Sequence, residues 1–393
     1  MYNRLLLALF VTLAACGKNS FSDGTRNAET AGQPIFQTAS GEQVSKADIE
    51  DFVALHMQDL GVPGLSLAIL DGGEIVYAGA HGVANLETGE PVTADSVFEA
   101  ASLSKPVFAY FALKLIDDGL LDLDQPLHEY RPLPELEADG RYHAVTARMV
   151  LSHRTGFPNW RWFDPAPEDW KIPRGTMYMK ADPGAFTYSG EGYTYLATVI
   201  AELTDTNMTT LDSVFQTKVA EPLGLNCAAF IQTACVGARK VKGHFGDEVS
   251  DEVWPRSFPD DTPLTFGAAG RLHLNAEDYA VFVKALMDED GLSPDLFSEL
   301  YARQTEVPED ASLRQTSGEE AWGLGLAMQQ TPYGLRYLHG GNNGEFQSGM
   351  MFFRERGLGY VFFANSDQGR AFGERLDTFV QTGQIEQVSD TGD

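Results

Sequence analysis

Ser102 and Lys105 are the residues whose types and spacing most directly suggest chemistry in this chain of 393 residues. They lie in Phe98-Glu-Ala-Ala-Ser-Leu-Ser-Lys-Pro-Val-Phe-Ala-Tyr110, which reads as a short strand or loop turning into a helix. Pro106 suits the first helical turn, and Val107, Tyr110, Phe111, Lys114 and Leu115 follow at helical spacing up to a stop at Gly119. Lys105 therefore lies one turn from Ser102 on the same face, at a helix N-terminus. A serine hydroxyl is a poor nucleophile near neutral pH and needs a base within hydrogen-bond reach. A lysine held out of water can lose its proton and serve as that base, and the helix N-terminus favours developing negative charge. Ser-x-x-Lys also occurs on solvated helices, where it does nothing. Two facts weigh against that here: no other lysine follows a serine at this spacing, and the helix is apolar.

Two further places hold candidate groups. Phe186-Thr-Tyr-Ser-Gly-Glu-Gly-Tyr-Thr-Tyr-Leu196 puts Tyr188 before a glycine-punctuated turn and an apolar helix. A tyrosine beside a Ser/Lys pair can accept and return a proton if a neighbouring cation lowers its pKa; read alone it is an aromatic near a loop. His339-Gly340-Gly341 ends a strand, and paired glycines permit close backbone approach to a bound group; read alone it is a bulge or an edge strand with a stray histidine. His153 reads as a hydrogen-bonding residue of its turn and His56 as a helix-flank residue. No Gly-x-Ser-x-Gly, His-Glu-x-x-His or Cys-x-x-Cys occurs, so neither a nucleophile elbow nor a metal-ligand set is visible, and no cofactor is expected.

The elements that must position these groups follow from periodicity. Ser45 to Leu60 is a helix with a Ser-x-x-Asp start at Ser45 and Asp48 and Ile49, Phe52, Val53, His56 and Leu60 on one face. Leu65–Ile69 and Glu74–Ala78 are two strands around Asp71-Gly-Gly73, a hairpin that begins the sheet antiparallel. From Leu120 the texture becomes loops and helices, read as a mostly helical insertion over about 121–250. Strand texture returns after about residue 260, with Trp322–Met328, Arg336–Asn342, Gly349–Phe353 and Gly359–Ala364, and Ala371–Thr382 closes the chain as a helix.

The ends and the charge bound the setting. Met1 to Arg4 is a short basic region, and Leu5 to Ala15 is apolar except for Thr12, too short for a membrane span and right for a signal peptide over 1–15. It ends Leu13-Ala14-Ala15-Cys16-Gly17, which resembles a bacterial lipobox. Cys16 is accordingly the expected lipidation site, with 16–44 as a flexible tether and 384–393 as an acidic tail. An outer-membrane anchor facing the periplasm is the expected location. A net charge of −28 argues against nucleic-acid binding and polybasic membrane adhesion. Cys227 and Cys235 are the remaining cysteines; they could close a small loop or stay as free thiols.

Taken together, Phe98-Glu-Ala-Ala-Ser-Leu-Ser-Lys105, Leu151-Ser-His-Arg-Thr-Gly156, Tyr188-Ser-Gly190 and His339-Gly-Gly341 resemble, in order and spacing, the landmarks of the serine β-lactamase and penicillin-binding-protein superfamily. The likeness is to its class C-like branch of esterases and D-amino-acid peptidases, from about Ile49 to Phe379. It implies an α+β fold: an antiparallel five-stranded sheet flanked by helices, with an inserted all-helical subdomain and the site in the cleft between. The body would span 45–383, with its α/β part at about 45–120 and 251–383. The resemblance makes Ser102 the acylated nucleophile, Lys105 its activator and Tyr188 the base or proton relay. His339 takes the place where many relatives have the Lys of a Lys-Thr/Ser-Gly triplet. The backbone N–H groups of Ser102 and of Asn342, just past Gly341, would form the oxyanion hole.

The departures shape the expected substrate. The second motif of class C β-lactamases is Tyr-x-Asn, and here the third position is Gly190, which removes a side-chain amide. His339 and Gly340 remove a fixed positive charge and a hydroxyl, the usual grip on a substrate carboxylate. The expectation is a serine hydrolase acting on a small-molecule ester, amide or peptide through an acyl-Ser102 intermediate, with weak or no β-lactamase activity. The alternative is a lipid-anchored, penicillin-binding-like sensor or binding protein that has kept the fold without turnover.

Overall fold

The computed structural model describes residues 32–250 and 262–385. Its centre is a nine-stranded antiparallel sheet. In chain order its strands are β1 (Gly64–Asp71), β2 (Glu74–Asn85), β3 (Glu90–Pro91), β4 (Thr305–Glu306), β5 (Ala321–Trp322), β6 (Ala327–Thr331), β7 (Gly334–Asn342), β8 (Gln347–Phe353) and β9 (Leu358–Ala364). In space they run β4-β5-β6-β7-β8-β9-β1-β2-β3. Two layers of helix cover it: α1 (Lys46–Leu60) and α5 (Gly369–Thr382) on one face, α2 (Ser104–Asp117) and α4 (Ala276–Met287) on the other, with α3 (Gly190–Leu203) in the insert.

Strand periodicity sorts the side chains between the two layers. Leu65, Leu67 and Ile69 of β1 join the α1/α5 core, while Ala68 and Leu70 join the α2/α4 core. Tyr360 and Phe362 of β9 divide from Val361 and Phe363 in the same way. This explains why β8 and β9 are buried along their whole length although the sheet is antiparallel: both faces are covered. Phe52 of α1 stacks on Phe379 of α5 with centroids 4.4 Å apart, and Tyr279 of α4 meets Phe363 edge-on at 5.8 Å. The Ser45/Asp48 start of α1 is a reciprocal capping box, and the helix stops at Gly61 in the left-handed region.

Several expectations need correction. The sheet has nine strands, not five: six are long, and β3, β4 and β5 are two-residue edge segments too short to leave a periodic signal. The run Trp322–Met328 is not one strand, because the Gly323-Leu-Gly325 turn reverses the chain between β5 and β6. The insert is not all-helical. It carries a hairpin, Gly243–Phe245 with Glu248–Ser250, and residues 152–189 contain only a single short 3-10 turn. Nor is 16–44 a tether throughout: Pro34–Gln37 and Gln43–Ser45 pair as a hairpin that buries Phe36, Ala39 and Val44 against α1 and α5. Three apolar anchors among many small polar residues are enough to dock it. Cys227 and Cys235 form a disulfide with Cα atoms 5.7 Å apart. Cys16 and the signal-peptide and lipobox residues lie outside the described residues, as do 386–393 of the acidic tail. No helix among the described residues is long and apolar enough to cross a membrane.

Phe36 is 2% exposed and meets Phe379 edge-on, with centroids 6.3 Å apart. Phe36→Ala is expected to lower unfolding stability by about 3–5 kcal/mol in a denaturant titration, whereas a mobile tether would show no change.

Candidate active site

The turn bearing Ser102 is held from three directions. Phe98–Glu99 pairs antiparallel with His273–Leu274, and Ala100 N donates to Leu272 O at 2.8 Å. The chain then enters a 3-10 turn, Ala101–Leu103, that runs directly into α2. Ala101 has φ +48°, a left-handed conformation that costs a non-glycine residue roughly 1–2 kcal/mol. Its neighbours hold it there. Ser348 Oγ of β8 donates to Ala100 O at 2.7 Å, and Ser104 Oγ donates to Ala101 O at 2.6 Å while accepting Leu272 N at 2.9 Å. Backbone strain held in place by its surroundings clusters at functional turns.

Lys105 is buried on the same helical face. Its Nζ donates to Ser102 Oγ at 3.0 Å and to Ala269 O at 2.7 Å. The Tyr188 and Tyr193 rings lie 4.9 and 5.8 Å from it. Burial pulls the amine down to about 7. Near neutral pH a substantial fraction of Lys105 is thus the free amine, a base in contact with a hydroxyl.

Tyr188 is also brought here. Burial pushes its phenol well up, the hydrogen bond with Ser102 pulls it down, and the Glu319 charge pushes it further up. The direction differs from the one a lowering cation would give: burial is the largest influence on the phenol, and Lys105, itself lowered to about 7, is only partly charged near neutral pH. Tyr188 rests as a neutral phenol, fit to pass a proton rather than hold a charge. His153 stacks on it with centroids 4.3 Å apart and accepts Ser189 N–H at Nδ1 at 3.1 Å. Trp322 closes the other side at 5.8 Å.

The third motif lies on β7. His339 is buried, its ring 6.5 Å from Tyr188 and 5.5 Å from Trp322, and its Nδ1 is 2.8 Å from Gly340 O. Burial, then repulsion from Lys105, lowers it to about 3, so it is a neutral imidazole. Gly341 makes the close approach: a Cβ there would sit 2.2 Å from Ser348 Oγ, 2.6 Å from Ala100 O and 3.1 Å from Ala101 Cβ. Beyond Leu338, β7 has no ladder partner on the β6 side, because that pairing ends at Ala327 with Leu338. His339 to Asn342 thus present a strand edge beside the Ser102 turn. The Asn342 side chain accepts Gly344 N–H at 2.7 Å, leaving its backbone as the part relevant to the site.

Sequence reasoning did not find the layer behind the turn. Burial pushes Glu99 up, yet the adjacent Lys240, His273 and Asn343 hold it net below the usual carboxylate range. Asn343 Nδ2 donates to Glu99 Oε2 at 2.8 Å and to Gly270 O at 3.1 Å, tying β7 to the strand before Ser102. Trp322 and the buried Glu319, raised to about 8 by burial, were likewise missed, as they sit on or beside a two-residue strand. Glu191 is engaged by Arg161, whose N and Nη2 both donate to it at 2.9 Å. No cluster of potential metal ligands occurs among the described residues.

The Beta-lactamase family model matches residues 49–383. The chain belongs to the β-lactamase family. Its fold is that of this family, an α+β body around a large antiparallel sheet. Penicillin-binding protein 4 of Amycolatopsis lactamdurans is 28% identical over 253 residues, 63% of this chain and 64% of that protein. Esterase EstB of Burkholderia gladioli is 40% identical over 90 residues, 22% of this chain and 23% of that protein. The chain thus spans less than two thirds of either relative's length. The D-amino acid amidase of Ochrobactrum anthropi SV3 superposes with a TM-score of 0.65 at 23% identity, covering 81% of this chain and 90% of its own. At that identity the likeness is one of fold.

Gly341→Ala tests the close approach. Its Cβ must push Ser348 or the Ala100 carbonyl aside, so phosphonylation of Ser102 by a fluorophosphonate is expected to slow at least about tenfold. An unchanged labelling rate would show that the turn tolerates displacement.

Proposed function

We propose that this member of the β-lactamase family is a serine hydrolase that cleaves esters or small amides through an acyl-Ser102 intermediate. The observation that carries this reading is the contact of a buried Lys105 amine, partly deprotonated near neutral pH, with Ser102 Oγ at 3.0 Å. Lys105 takes the Ser102 proton as Oγ bonds to the substrate carbonyl carbon. The resulting oxyanion sits against the backbone N–H groups of Ser102 and Asn342, donors of a kind worth about 10²–10³ in rate each. When the C–O or C–N bond to the leaving group breaks, Tyr188 gives its phenolic proton to the departing atom and regains one from the Lys105 ammonium. A water then attacks the acyl group with the same residues in reverse order, and Ser102 is released.

Three features favour uncharged substrates over β-lactams. His339 is neutral, Gly340 has no hydroxyl and Gly190 has no amide, so the grips on a carboxylate and an acylamino group are absent from these motif positions. The names of the relatives, an esterase and a penicillin-binding protein, and of the structural neighbour, an amidase, support acyl-transfer chemistry of this class.

The test is intact mass after fluorophosphonate treatment, with p-nitrophenyl ester turnover alongside. One adduct is expected on the parent and none on Ser102→Ala, with turnover falling at least about 10³-fold. No adduct on the parent would sink the reading, and rapid turnover of a chromogenic cephalosporin would overturn the substrate preference.

The pH profile follows from Lys105. The acting form is the free amine, so protonation removes the base as pH falls. With the amine lowered to about 7, kcat/KM is expected to rise about tenfold per pH unit below 7 and level off above it. A profile flat from pH 5 to 8 would remove Lys105 from the role of base.

A further inference from the structure

Gly190 lacks a side chain for reasons of space. It is the first residue of α3, and its φ is not left-handed, so the backbone would accept any L-residue. A Cβ there, however, would lie 2.6 Å from Cζ2 and 2.8 Å from both Cε2 and Cη2 of Trp160, well inside ordinary contact. The indole occupies the place of the missing side chain.

Its position is enforced from both sides. Before Trp160, Asn159 O accepts Gly190 N at 3.0 Å and Glu191 N at 3.1 Å, Asn159 Oδ1 accepts Gly190 N at 3.0 Å, and Pro158 O accepts Ser189 Oγ at 2.7 Å. After it, Arg161 is bound through N and Nη2 to the two oxygens of the buried Glu191. The segment 158–161 is therefore strapped along 189–191, which directly follows Tyr188. Trp160 is half-buried and packed against the core that contains α2.

We propose that Trp160 is a specificity-determining residue: its indole fills the volume beside Tyr188 that an amide side chain at position 190 would take, so the cleft selects acyl groups with an apolar face over acyl groups bearing a carboxamide. This deepens the hydrolase reading above and rests on it. An aromatic wall gains contact with methylene or aryl groups, whereas a carboxamide brought against it loses its hydrogen bonds to water and finds no partner. Apolar contacts of this size change kcat/KM by about 10–200-fold.

The experiment compares p-nitrophenyl pentanoate with the p-nitrophenyl ester of N-acetylglycine, acyl groups of similar length with and without a carboxamide. The parent is expected to prefer the pentanoate. Trp160→Ala is expected to lower the kcat/KM ratio at least about tenfold, and adding Gly190→Asn to Trp160→Ala to move it further toward the N-acetylglycyl ester. Because the ratio is read, a general loss of rate does not imitate the effect. The thermal midpoint supplies a second reading: Gly190→Asn is expected to lower it in the parent and much less in the Trp160→Ala background. A ratio unchanged within about twofold, or equal losses of midpoint in both backgrounds, would overturn the assignment. Fluorophosphonate labelling of the parent separates the two failures, since an unlabelled parent overturns the hydrolase reading itself.

Discussion

The whole site depends on keeping one amine out of water. An ammonium in bulk solvent holds its proton far above neutrality, and Lys105 is brought down to about 7 by burial alone. That requires an apolar helix around it, aromatic rings over it and few acceptors near it. The structure supplies the buried apolar α2, the faces of Tyr188 and Tyr193, one hydroxyl, Ser102 Oγ, and one carbonyl, Ala269 O. The carboxylate just upstream of Ser102, Glu99, is taken up by Lys240 and Asn343. Burial thus acts on three groups in one direction: it discharges Lys105, keeps His339 neutral and keeps Tyr188 protonated. Near neutral pH the site thus carries little charge beyond the protonated fraction of Lys105.

The sheet converts that chemistry into geometry. Ala101 is held in an unfavourable conformation because Ser348 of β8 grips the carbonyl before it and Ser104 of α2 grips its own. Gly341 then lets β7 lie against the same turn at distances no larger residue allows. Ser102 and the strand edge are placed by one contact, so the separation between Ser102 and the β7 backbone is set by packing in the sheet rather than by a loop.

Much of this was legible in the chain. Ser102, Lys105 and Tyr188 stand at junctions where a helix begins after a turn, and such junctions leave marks in Pro106, Gly190 and Gly192. The hairpin around Gly72 and Gly73, the capped helix from Ser45 and the apolar runs of β8 and β9 were readable because period and turn residues agree. What escaped was nonlocal or short. Glu99, Lys240 and Asn343 come from three distant segments, and nothing in their surroundings announces that they meet. Trp322 sits on a strand of two residues, below the length at which alternation exists. The hairpin over 34–45 was hidden by its composition, since Phe36 and Val44 are dilute among serines, threonines and glycines. Gly190 was visible as a departure, but the reason for it, the ring of Trp160, came from a separate loop.

The docking of that hairpin has a geometric consequence. Ala39 N and Ser40 N donate to Val380 O and Gln381 O at 3.2 and 2.8 Å, so the start of the described body is stitched to the last turn of its closing helix. Both ends meet on the α1/α5 layer, while the core behind Ser102 belongs to the opposite one. The described body is nearly a closed ring with its seam on the layer opposite Ser102. Linking the ends and reopening the ring elsewhere would leave the reacting face untouched, and cargo attached at the seam would leave the cleft's mouth clear.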